Sequence, residues 1–66
     1  MKYYLIKSII GSWMCYWNTT TKMFVISTKA TKFETEEEAL KELTDTASYY
    51  EPCHILEVTN NTKADL

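Results

Sequence analysis

The chain reads as a small α+β domain, a βββαβ arrangement. Its four-stranded, mainly antiparallel sheet has spatial order 4-1-2-3, with one helix packed on one face. Three observations predict this. Short runs rich in β-branched and aromatic residues recur at Tyr3–Ile10, Trp13–Trp17, Met23–Ser27 and Cys53–Val58. One segment alone, Phe33–Ala47, carries helical periodicity. The links between the first three runs are short enough for hairpins.

Tyr3–Ile10 is apolar on both alternating sets: Tyr3, Leu5 and Ile9 on one, Tyr4, Ile6 and Ile10 on the other. A strand of that kind belongs inside a sheet rather than at its edge. Gly11-Ser12 is the first turn. In the second strand Trp13, Cys15 and Trp17 share one face, and Met14 and Tyr16 the other. Asn18–Lys22 is a hairpin loop, and Thr28–Lys32 a polar connection.

In the helix, Thr35 and Glu38 form a capping box, and Glu36, Glu37 and Glu38 favour the positive end of the helix dipole. Ala39, Leu40, Leu43, Ala47 and Tyr50 form the apolar stripe, and Glu38, Lys41, Glu42 and Asp45 fall opposite, in solvent. The small stripe residues predict close seating on the sheet. Glu51-Pro52 stops the helix. The helix is expected to cross back over one face, so that the last strand runs parallel to the first beside it. Residues 1–58 form the domain, and 59–66 a polar, frayed tail.

Sixty-six residues bury a small core, so oligomerisation is an expected aid to stability. No apolar run is long enough to span a membrane as a helix, and no secretory pattern opens the chain. A cytoplasmic location with both thiols, Cys15 and Cys53, reduced is the expectation. The net charge of −2 is uneven: residues 34–45 hold six acids and one lysine, and the rest holds six lysines and three acids. All basic residues are lysines. The acidic total and the missing arginine fork weigh against nucleic acid as a partner.

Catalytic and metal chemistry find little footing, and a non-enzymatic chain without cofactor is expected. Glu36, Glu37 and Glu38 do not converge on one point, and capping accounts for them. Cys53 and His54 are adjacent on a strand and point to opposite faces. Two cysteines and one histidine fall short of the four ligands of a structural zinc site.

One helix covers one side of a four-stranded sheet. The other side is expected to carry an apolar patch that a second copy or another protein buries. Trp13 and Trp17, or else Tyr16, are the candidate partner-binding residues of that face, and the set expected to turn towards the partner is Trp13, Cys15 and Trp17. Glu38, Glu42 and Asp45 are the candidate residues of a second, acidic surface on the helix.

Tyr3-Tyr4-Leu5-Ile6, the aromatic hairpin Trp13–Trp17 and Ala30-Thr31-Lys32-Phe33-Glu34-Thr35-Glu36-Glu37-Glu38-Ala39-Leu40 together resemble a pattern in small bacteriophage and prophage accessory proteins. The resemblance covers residues 3–58 and is one of architecture. It implies a phage-encoded accessory factor that binds and inhibits a host protein, such as a component of a defence system; the uncovered sheet face adds the expectation that it acts by surface occlusion, as a homodimer. It supplies no catalytic residues. The alternative is a nucleic-acid-binding accessory protein using Lys22, Lys29 and Lys32 beside aromatic rings.

Overall fold

The computed structural model describes residues 2–59 and 62–65. Its strands are β1 (Lys2–Ile10), β2 (Trp13–Asn18), β3 (Met23–Val25), β4 (His54–Thr59) and β5 (Thr62–Asp65), with one α-helix, α1 (Glu36–Asp45). They form an antiparallel sheet of order β3-β2-β1-β4-β5. The predicted four-strand order and the single helix are present. β1 sits at the centre, as its two apolar faces require.

The two hairpins follow from local chemistry. Gly11, at φ 65°, is the first of two residues in the β1–β2 turn. That matches a type II′ turn, whose first central position needs positive φ. Asn18 organises the β2–β3 loop: its side-chain Oδ1 accepts from the Thr21 amide at 2.9 Å, and its carbonyl accepts from the Lys22 amide at 2.9 Å. Lys22 closes this loop in the left-handed region, at φ 58°.

β4 runs antiparallel to β1, with Leu5 opposite Leu56 and Ile6 opposite Ile55. The parallel pairing expected from a simple crossover does not form, because the connection after β3 is not a passive link. Ser27–Lys29 makes a 3-10 turn, and the chain then runs back along β1. Phe33 and Tyr4 exchange backbone hydrogen bonds of 2.9 and 2.8 Å, and the Thr31 amide donates to the Trp17 carbonyl at 3.1 Å. Residues 30–33 therefore fill a slot between the lower half of β1 and the end of β2. This extra traverse returns the chain to the starting end of β1. The helix then climbs the sheet, and β4 has to descend. Ser8 secures the descent by donating to the Pro52 carbonyl at 2.7 Å.

β5 is a further difference. Residues 62–65, expected to be frayed, pair with β4. Its main chain takes up hydrogen bonds that β4 would otherwise leave open at a sheet edge.

Two apolar clusters lie on either side of the sheet. Under the helix are Tyr4, Ile6, Trp17, Ile55, Ala39 and Ala47, with Phe24, Phe33, Leu43 and Cys53 packed against them. On the side without a helix are Leu5, Tyr16, Leu56 and Val58, flanked by Tyr3 and Ala30. Ala39 and Ala47 have no exposed surface, so the predicted close seating of the helix is present. The Thr35 cap is also present: its hydroxyl accepts from the Glu38 amide at 3.2 Å and donates to the Glu38 carboxylate at 3.1 Å.

Candidate functional site

The residues singled out from the sequence separate into three environments. Trp17 is fully buried beneath the helix, because β2 is in register with β1 such that Trp17 falls on the side of Ile6 and Tyr4. A buried indole N–H needs an acceptor, and Glu42 supplies one at 2.8 Å. Tyr16 lies on the opposite side and is only 8% exposed, enclosed by its own sheet neighbours. The expectation that Tyr16 and Trp17 meet a partner is thus corrected: both are core residues of this chain. Trp13 shares the side of Trp17 but lies four residues nearer the turn. It projects past the helix with 75% of its surface exposed.

The acidic set divides as well. Glu42 does not face solvent. Its side chain is 17% exposed and also meets the Lys22 ammonium at 3.8 Å. The helix is rolled so that positions 39, 42, 43, 46 and 47 turn inward, and Leu40, placed in the apolar stripe by periodicity, is 51% exposed. Glu38 is exposed but engaged with Thr35, and Asp45 is exposed. The structure keeps an acidic outer helix surface but removes Glu42 from it.

The helix packs over β1 and β4, which leaves the β2–β3 half of the same side partly bare. There Trp17 stacks edge-on against Phe24, with ring centroids 5.0 Å apart, and at a tilt against Tyr50, 5.4 Å away. These three rings border an open cleft of about 450 Å³. Met23 and Lys22 form one rim, Tyr50 and Glu51 the other, and Ile10 closes it towards the β1–β2 turn. Sequence reasoning missed this cleft. Its available signal was Tyr49-Tyr50 directly after the helix, aromatic residues too late in the stripe to reach the sheet centre.

Beyond Ile10 the surface continues onto the β1–β2 hairpin end, where Ile10 is directly opposite Trp13 and Ile9 opposite Met14. All four are exposed. No residue from Ser8 to Thr21 carries a charge. This end of the molecule presents apolar side chains on both faces of a two-stranded ribbon, without a charge to hydrate it.

Little here supports reaction chemistry. Both cysteines are free. Burial pushes the Cys53 thiol above its ordinary value, which suppresses the thiolate a nucleophile requires. Cys53 packs on the helix side, whereas His54 is cross-strand from Lys7, placing it on the other face. Among the described residues no three of His, Cys, Asp and Glu gather as a metal ion would need. Of the lysines proposed for nucleic acid, Lys22 meets Glu42 and Lys32 lies 5.1 Å above the Tyr3 ring on the opposite side of the sheet. They do not make one basic stripe. Among the described residues no helix is long and apolar enough to cross a membrane. No protein-family model matches this chain, and no curated protein or solved structure does either.

Proposed function

We propose that the chain is a non-enzymatic protein-binding module whose docking surface is the β1–β2 hairpin end. The observation that carries this reading is Trp13, three-quarters exposed beside Ile10 on an uncharged ribbon end whose other face exposes Ile9 and Met14. Tryptophan is enriched among the residues that dominate binding energy, and contiguous exposed apolar surface marks interaction sites. The biological setting we propose is that of a small phage-encoded inhibitor in the bacterial cytoplasm, which occludes a host protein's surface. In that setting the outer helix face, with Glu36, Glu37, Glu38 and Asp45 exposed, is the second contact surface.

The test is a photo-crosslinking residue placed at position 13, with position 48 as the exposed control. In a host extract, position 13 is expected to attach to a discrete protein, either a second copy or a host component. Crosslinking no stronger at position 13 than at position 48 rejects the module.

A further inference from the structure

The hairpin end carries a knob and a hole side by side. We infer that its partner is a second copy of this chain, with Trp13 of each copy seated in the other's cleft between Met23, Phe24 and Tyr50, above the buried Trp17. This rests on the reading of the hairpin end as a protein-docking surface.

Trp13 does not line the cleft of its own chain, and four residues of extended strand, about 13 Å, separate it from Trp17. Yet the two features adjoin, because Ile10 is the cross-strand neighbour of Trp13 and also a wall of the cleft. A two-fold axis beside Ile10 therefore brings each knob to the other copy's hole, the self-complementary arrangement of an isologous dimer. The cleft, at about 450 Å³, is large enough for an indole. The Tyr50 ring, 57% exposed, and Phe24 beside it offer the contacts aromatic side chains prefer.

The exposed area is also of the right size. Trp13, Tyr50, Met23 and Ile10 are 75%, 57%, 60% and 37% exposed. At ~150–250 Å² per large side chain they present roughly 500 Å² of apolar surface. Full coverage of these four would supply more than half of the ~800 Å² per partner found in stable complexes. Charge permits the approach. Each copy carries −2, but the 14 residues from Ser8 to Thr21 carry none, and the cleft rims carry one charge of each sign, Lys22 and Glu51.

The experiment is sedimentation velocity on the full chain over a concentration series, with the variants Trp13→Ala and Met23→Glu. A concentration-dependent dimer is expected for the unaltered chain. Each variant should weaken it by ~30-fold or more, as for a hot-spot residue, while circular dichroism of dilute samples stays unchanged. In the otherwise unaltered chain, a photo-probe at position 13 should attach to Met23 or Tyr50 of another copy, a result that does not depend on how the variants fold. A monomer at every concentration overturns the inference, as does a dimer unaffected by both variants and crosslinked elsewhere. A monomer whose position 13 captures a different protein rejects the second copy but leaves the binding module standing. No capture by position 13 rejects both.

Discussion

Replacing Glu42 by alanine should be among the most damaging single changes on the helix, although sequence patterning places that residue in solvent. Its carboxylate accepts the indole N–H of the fully buried Trp17 at 2.8 Å, and it is largely buried itself. Removing it leaves a buried donor unsatisfied, which costs ~1–3 kcal/mol, with the upper half expected for a charged acceptor. The Lys22 contact at 3.8 Å is half-exposed and adds less than ~1 kcal/mol. The buried hydrogen bond therefore sets the loss at about 2–3 kcal/mol, with the half-exposed ion pair a minor addition. A domain of this length has roughly 3–10 kcal/mol in total, and each kcal/mol moves the melting midpoint by ~4–8 °C. Glu42→Ala should therefore melt ~8–24 °C lower in a thermal scan, with a parallel loss in urea unfolding. Glu42→Gln retains an acceptor and should lose about 1 kcal/mol. Glu37→Ala, at an exposed position of the same helix, should stay within ~0.5 kcal/mol. In a double-mutant cycle with Trp17→Phe, the coupling should reach ~1.5 kcal/mol or more. If Glu42→Ala and Glu37→Ala unfold alike, or if the coupling is nil, the inward roll of the helix is wrong.

Further outcomes follow from the same geometry. Leu40→Ser should cost less than ~1 kcal/mol because Leu40 is half-exposed, whereas Ala39→Leu, with no free space at a fully buried position, should cost ~1–3 kcal/mol by overpacking; urea unfolding of the pair checks this. Thr35→Ala removes the hydroxyl that accepts from the Glu38 amide and should lose ~1 kcal/mol in the same assay. Cys53 links stability to pH. Its thiol is raised in the fold by burial, so stability is full below the ordinary thiol range, where both states keep the proton. Stability then falls as pH climbs through that range and the unfolded chain ionises first. Urea midpoints measured from pH 7 to 10 should fall more steeply for the unaltered chain than for Cys53→Ala; parallel curves would remove the burial effect.

Much of the fold was legible because local signals and packing agree. β-formers and turn residues located β1 to β4, and the Thr35 hydroxyl begins the helix where the capping pattern places it. Three features were hidden, each for a physical reason. The direction of β4 depends on residues 30–33 acting as a short strand, and one apolar residue, Phe33, between polar ones gives no periodic signal. β5 adds itself through main-chain hydrogen bonds, which every sequence possesses. Glu42 turns inward because Trp17 demands an acceptor. That requirement crosses 25 positions of sequence and overrides the usual solvation of a carboxylate.

The same inward turn bears on the docking surface. With Glu42 bound to Trp17, the helix is held over β1 and β4, and its continuation carries Tyr50 to the flank of the Trp17 ring instead of over β3. The cleft exists because one short helix covers two strands and not four. Trp13 stands beyond the region that helix reaches. Its exposure means it contributes little to burial on folding, since the hydrophobic gain scales with area removed from water. Met14 and Ile9 are exposed on the opposite face of the same ribbon, so the hairpin end as a whole lies outside the core. The fold gains little from apolar side chains there. Contact with another protein surface is what would remove them from water, and the free energy of that contact is available to binding and not to folding.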